Sequence, residues 1–271
     1  AINAIFNSFA NINDTFLTTN PTFGYYLPCA EMRGMKIITC QYKGDDFEFP
    51  IEDFEKKINI HNPKLIFICN PNNPTGTILK ADKIIDLAIN NKESIIVVDE
   101  LYEKFYGDSL LPKINFEEIN NLIIIQSLSK TAGLAGLRMG FAFGHKELIK
   151  YINKVTGPYD VNSFAVAATL AALNDKNYID SYVKEVKKAR EWIKGKLKSI
   201  NYKSHFNGGN YFLIWPNREP DILVQEMRRN RILIRNMGNK KNIENTLRVS
   251  IGTQKQMQFF WEQLIELDLI K

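Results

Sequence analysis

Cysteine and histidine are scarce in this chain of 271 residues, with three of each. Cys29, Cys40 and Cys69, and His61, His145 and His205, are scattered without ligand spacing, which argues against a disulfide framework and against a zinc site. Sparse, unpatterned cysteine fits a reducing, cytoplasmic setting. No apolar run approaches the roughly 20 residues that span a bilayer, so a membrane is not expected as a partner. A block of like charge is missing too. The formal net charge is +5, and the basic residues are spread through amphipathic stretches such as 182–198. That is the distribution of a solvated helix face, so no nucleic acid is expected as a partner. Repeats, low-complexity tracts and flexible linkers are absent. The chain opens on Ala1 instead of Met, inside a stretch (1–9) that already reads as helix and shows no signal-peptide pattern. It is therefore expected to be part of a longer protein.

What is present is an ordinary globular composition, 45% hydrophobic and 24% charged, long enough to divide into two unequal lobes. From Asp14 to Gly144 short β-rich runs alternate with amphipathic segments, which predicts an α/β fold with a mainly parallel sheet covered on both faces. The expected strands are 15–19, 36–41, 64–69, 94–99, 122–127 and 139–143, with helices near 25–33, 51–58, 80–91 and 116–119. Ile95-Ile96-Val97-Val98 and Leu122-Ile123-Ile124-Ile125 are continuously apolar, as strands buried on both faces must be. After Gly157-Pro158 the texture changes to long helices, 163–173 and 178–200. The remainder mixes strands (210–215, 232–235, 247–251) with helices (221–230, 255–267), an α+β lobe. The expected division is a large domain over 1–158, connecting helices over 159–200 and a small C-terminal domain over 201–271.

Open parallel sheets bind ligands beyond the carboxyl ends of their strands, so the residues that follow each apolar run carry the information. After 64–69 comes Asn70-Pro71-Asn72-Asn73-Pro74-Thr75-Gly76; after 94–98 comes Asp99-Glu100-Leu101-Tyr102; after 122–126 comes Ser127-Leu128-Ser129-Lys130. Taken singly, each has a plain structural explanation: a competent turn, a strand-ending cap, a surface Ser-Lys pair. Taken together, in this order and at these positions, they point into one crevice.

Asn73-Pro74-Thr75-Gly76, Asp99 and Tyr102, Ser127-Leu128-Ser129-Lys130 and Gly136-Leu137-Arg138-Met139-Gly140 are similar to the signatures of fold-type I pyridoxal-phosphate (PLP) aminotransferases, and the match spans nearly the whole chain. Pro21-Thr22-Phe23-Gly24, Pro71-Asn72-Asn73-Pro74-Thr75-Gly76 and Leu134-Ala135-Gly136-Leu137-Arg138 look most like the histidinol-phosphate aminotransferase branch. The resemblance implies a cytoplasmic enzyme of amino-acid metabolism that uses PLP and acts on a small, phosphorylated amino or keto substrate, with glutamate as a donor. It implies a homodimer in which each site is completed by its neighbour. Lys130 would supply the amine for a Schiff base, Asp99 the carboxylate that keeps the pyridine nitrogen protonated, and Asn73 and Tyr102 hydrogen bonds to the phenolic oxygen. Ser127, Ser129 and Arg138 would anchor the phosphate. Phe23 falls where the family stacks an aromatic ring, usually tyrosine, on the pyridine. Arg248, in a strand of small and apolar neighbours, would grip the substrate α-carboxylate, and Arg235 the substrate phosphate; an interlobe salt bridge is the plain alternative for each. Asn210, after Gly208-Gly209, matches a position near the substrate, although a strand entry accounts for it as well.

Complete family members carry a further N-terminal portion, with an arm of the small lobe and a glycine-containing loop that binds the cofactor phosphate at a helix N-terminus; Ala1 falls just beyond that loop. Two other readings stay open on sequence alone. One is a PLP-dependent decarboxylase of threonine phosphate or serine phosphate, which shares these motifs. The other is a non-catalytic, PLP-sensing regulatory domain.

Overall fold

The computed structural model describes residues 1–269; Ile270 and Lys271, the end of the expected C-terminal domain, lie outside the described residues. Among the described residues, ten strands form two sheets. The larger contains β1 (Thr15–Asn20), β2 (Lys36–Gln41), β3 (Leu65–Cys69), β4 (Ile95–Asp99), β5 (Leu122–Gln126) and β6 (Phe141–Gly144) in the order β2-β1-β3-β4-β5-β6. All neighbours are parallel except β6, which returns antiparallel to β5. This is the anticipated α/β architecture.

The continuously apolar strands are explained by what covers them. Successive side chains point to opposite faces, so Leu65, Phe67 and Cys69 of β3 pack with Ile5 and Phe6 of α1 (Ile2–Phe9) and with Tyr26 and Cys29 of α2 (Tyr26–Met32). Ile66 and Ile68 point the other way, against Phe54 and Ile58 of α3 (Ile51–His61) and Ile84 and Leu87 of α4 (Ala81–Asn90). Both faces are dry, so no polar alternation survives in β3 or in β4.

Short α5 (Glu103–Tyr106) follows β4, and α6 (Lys146–Val155) follows β6; then come α7 (Ser163–Asn174) and the 24-residue α8 (Lys176–Ser199). Asn162 caps α7 by accepting the Ala165 N–H at 2.8 Å, and Asp175 caps α8 by accepting that of Tyr178 at 3.1 Å. The second sheet, wholly antiparallel, has the order β7-β8-β10-β9: β7 (Ser204–Phe206), β8 (Tyr211–Ile214), β9 (Arg235–Asn236) and β10 (Leu247–Ser250). Helices α9 (Pro220–Arg229) and α10 (Gln254–Leu264) complete this part; Thr253 and Gln256 close a reciprocal capping box at the start of α10. Along α8, Val183, Val186, Ala189, Ile193 and Leu197 recur at helical spacing and face Phe212, Ile214, Leu247 and Val249, while Tyr102 and Phe105 of the first part join the same cluster. One helix thus cements the smaller sheet to the end of β4.

The Asn70–Gly76 turn is the second joint. Tyr211 donates its hydroxyl to the Asn72 carbonyl, Gly208 N–H bonds the Gly76 carbonyl at 3.0 Å, and His205 Nε2 lies 2.9 Å from the Thr75 carbonyl. Gly76 sits at φ 72°, and a Cβ there would come within 2.8 Å of the Asn207 Cβ.

Three expectations need correction. Residues 116–118 form a turn: the Asn115 side chain accepts the Glu117 N–H at 3.1 Å as a helix cap would, but the Asn115 carbonyl takes both the Glu118 and the Ile119 N–H and the chain enters β5 at Leu122 before a second turn can form. The strand expected over 232–235 pairs only at Arg235–Asn236: Ile232 and Ile234 pack on the core and Leu233 faces out, an extended run whose hydrogen bonding begins at its last residue. Helix α6, capped by His145 accepting the Glu147 N–H at 3.3 Å, was not anticipated.

Candidate active site

The three strand-end segments do converge. A cavity of about 550 Å³ opens at the carboxyl ends of β4 and β5, walled on the near side by the segment after β1 and on the far side by the smaller sheet. Its lining includes Phe23, Asn73, Asp99, Tyr102, Ser127, Ser129, Lys130, Arg138, Arg235 and Arg248, ten of the eleven residues singled out from sequence. Asn210 does not reach the wall; its carbonyl accepts the Ile251 N–H at 2.7 Å, tying the entry of β8 to the end of β10.

Asp99 is the single acid among the lining residues, and it is 5% exposed. One carboxylate oxygen accepts the Tyr26 hydroxyl at 2.6 Å and the other the Leu101 N–H at 3.1 Å. Burial raises its carboxyl above the usual carboxylate range, and these two hydrogen bonds pull it back. No cation pairs with it among the described residues, so its remaining lone pairs are available to a positively charged ligand atom. Lys130 faces the same space half-buried; burial, and then the charge of Arg248, lowers its ammonium pKa. That is the direction a nucleophilic amine requires.

Asn73 links two ends of the site. Its Nδ2 points at the Tyr102 hydroxyl at 3.4 Å, while its Oδ1 accepts the Arg248 guanidinium at 2.6 Å. Arg248 also lies over the Tyr211 ring, 5.6 Å from its centroid, and burial lowers its pKa. Neither Arg248 nor Arg235 has a carboxylate partner among the described residues, and the two stand opposite each other in the β9–β10 pairing. Two cations in register repel, an arrangement that favours an anionic ligand over the salt bridge that was the alternative. Ser127 and Ser129 hydroxyls are 2.7 Å apart, and Ser127 donates to the Met139 carbonyl at 2.8 Å. Arg138 ends the turn at φ 59° with its guanidinium on the Ala135 carbonyl at 2.9 Å. The Phe23 ring meets Tyr26 edge-on, with centroids 5.5 Å apart.

Sequence reasoning missed three participants. Tyr26 was read only as part of a helix, and nothing local announces that its hydroxyl reaches a carboxylate 73 positions away. Met237 and Lys240, from the loop after β9, also line the cavity; their only signal was proximity to Arg235. The donor set as a whole, a buried unpaired carboxylate, a half-buried amine, a hydroxyl pair with an arginine and a flanking aromatic ring, fits the pyridinium, aldehyde, phosphate and ring face of PLP.

Comparison with known proteins gives the same answer. Residues 1–264 match the family model for aminotransferase class I and II. The chain is 32% identical over 270 residues to a histidinol-phosphate aminotransferase of Caldanaerobacter subterraneus, covering 98% of this chain and 74% of that protein. Its fold matches that of the histidinol-phosphate aminotransferase from Clostridium acetobutylicum (TM-score 0.89, 23% identity, 98% of this chain and 80% of the other). It likewise matches the Sinorhizobium meliloti enzyme, solved in complex with pyridoxal 5'-phosphate (TM-score 0.87, 19% identity, 98% and 73%). The chain belongs to the class I and II aminotransferases, PLP-dependent enzymes of the fold described above.

Proposed function

We propose that this aminotransferase moves an amino group between glutamate and a small phosphorylated substrate of the histidinol-phosphate type, for which its relatives are named. The observation that carries the reading is the placement of Asp99 and Lys130 on one cavity whose other charged lining residues are all cationic. When bound, PLP supplies an aldehyde that captures an amine and a ring that draws electrons from the substrate Cα. Lys130 would hold the cofactor and, once displaced by the incoming substrate amine, would be the base that takes the proton from Cα, a role for which burial and the charge of Arg248 shift its pKa in the right direction. Asp99 would balance the positive charge of the ring nitrogen. Asn73 and Tyr102 would donate to the phenolic oxygen, Phe23 would cover the ring, and Ser127, Ser129 and Arg138 would bind the phosphate.

Arg248, held by Asn73, grips the α-carboxylate of the amino donor with a planar two-pronged fork. Arg235 meets the phosphate of the substrate. Asn210 acts at one remove, setting the position of β10 through Ile251. The three cysteines, all free and buried, suit a cytoplasmic protein, and among the described residues no helix is long and apolar enough to cross a membrane.

The test is to give the holoprotein histidinol phosphate and 2-oxoglutarate and to follow glutamate formation, with Lys130→Ala as the control. Glutamate made only by the parent protein supports the reading. Carbon dioxide release from threonine phosphate, without glutamate, would replace it by decarboxylation. Tight binding of duplex DNA with no turnover would replace it by a sensor.

A further inference from the structure

Asp99 is held by a residue outside its own strand. Tyr26, the first residue of α2, is fully buried, its ring packed 5.1 Å from that of Phe67, and its hydroxyl meets Asp99 at 2.6 Å. Burial pushes the Tyr26 phenol far above its ordinary pKa, and the charge of Asp99 adds to the effect, so the phenol keeps its proton and offers it to the carboxylate. Of the surrounding groups, the Cys69 thiol also lies within reach of the Tyr26 hydroxyl, but a thiol is a weak partner beside a carboxylate. Glu100, next in the chain, is taken up by Ser109 Oγ at 2.7 Å, the Leu110 N–H and Gln126 Nε2 at 2.8 Å. Cys69 donates to the Pro71 carbonyl, Tyr102 faces Asn73, and Lys130 and Arg138 lie across the cavity with no hydrogen bond to the carboxylate.

We propose that Tyr26 is the positioning residue for Asp99: its hydroxyl fixes the rotation of the carboxylate and holds it as an anion, so that the ring nitrogen of PLP meets a negative charge. A carboxylate this buried, supported otherwise by one backbone N–H, would take up a proton readily and turn a neutral acid toward the cofactor. The packing function of the ring and the electrostatic function of the hydroxyl are separable, because phenylalanine keeps the first and removes the second. The inference rests on the reading of Asp99 as the partner of the ring nitrogen.

The experiment strips the full chain of cofactor and titrates it back with PLP and, separately, with the PLP analogue in which a ring C–H replaces the ring nitrogen. The parent protein should prefer PLP. Loss of one hydrogen bond to a charged group is worth about 1.5–3 kcal/mol, so Tyr26→Phe should weaken PLP about tenfold or more while the analogue changes less than about twofold. In an Asp99→Asn background the same substitution should have no further effect. Equal losses for both ligands, or no loss for either, would overturn the proposal and leave Tyr26 a packing residue. A parent protein that binds both ligands alike would instead overturn the assignment of Asp99. Should Tyr26→Phe unfold early, 3-fluorotyrosine at position 26 keeps the ring and strengthens the donor. PLP should then bind more tightly with the analogue unchanged, and an unchanged PLP affinity would count against the proposal.

Discussion

At the scale of single residues, the site shows how differently burial acts on a functional and a structural group. Asp99 lies where water would otherwise solvate it, and only two neutral donors compensate. Asp99→Asn keeps the shape and removes the buried charge. The unliganded chain should therefore melt at the same temperature or higher, while kcat/KM falls by a factor on the order of 10²–10³, the usual cost of deleting one preorganised electrostatic contact. Calorimetry and a transamination assay on the same preparation separate the two effects; parallel losses of stability and activity would make Asp99 a folding residue. Gly76 is the opposite case, a residue needed for its missing side chain. At φ 72° a Cβ would crowd Asn207, whose backbone is tied by the Gly208–Gly76 bond. Gly76→Ala should cost about 1–3 kcal/mol in denaturant unfolding.

At the scale of elements, what could be read from the sequence was what a local pattern encodes. Strands β3, β4 and β5 are visible as apolar runs, and the rule that ligands meet parallel strands at their carboxyl ends places Asn73, Asp99 and Lys130 at one crevice from the sequence alone. Tyr26 was invisible because its contact depends on how α2 lies across the sheet. Helix α6 was overlooked for a different reason: its apolar residues recur helically, but its cap is a histidine, outside the residues that normally mark a helix start. Strand β7 is three half-buried residues with too little length to show a period. Yet it carries His205, which joins the Thr75 carbonyl and packs edge-on against Phe47. Burial holds the His205 pKa below its ordinary 6.5, with the Thr75 bond and Asp46 opposing and Lys194 adding. The unfolded chain then binds the proton more readily than the folded one, so stability is complete above about pH 6.5 and is lost as pH falls through the depressed folded pKa. Melting temperatures should accordingly fall less on acidification in His205→Gln than in the parent protein; identical acid slopes would show that the histidine is not the sensitive group of this joint.

At the scale of the whole molecule, the surface is uneven in a way that a second copy would explain. Helix α7 has the sequence Ser-Phe-Ala-Val-Ala-Ala-Thr-Leu-Ala-Ala-Leu-Asn, apolar all round, yet only Ala165 and Thr169 are buried. Phe164 is 83% exposed, Leu170 and Leu173 are exposed beside it, and the preceding segment presents Tyr159 at 91%. A helix hydrophobic on every side belongs in an interior, and exposed apolar residues concentrated in this way mark an association surface. The family resemblance implies which one, a homodimer whose neighbour completes each active site. A stable interface needs about 800 Å² per partner, most of its energy from a few large apolar anchors. Phe164 and Leu170 are the most exposed such groups on α7. Sedimentation should therefore show a species near twice the 31.2 kDa chain mass, and Phe164→Asp combined with Leu170→Asp should convert it to monomer without lowering the helical content. Because both residues lie away from the cavity lining, any loss of turnover in that variant would come through dissociation, and should recover as protein concentration is raised. A parent chain that sediments as a monomer at micromolar concentration would overturn the dimer and leave the exposed face of α7 without a partner of its own kind.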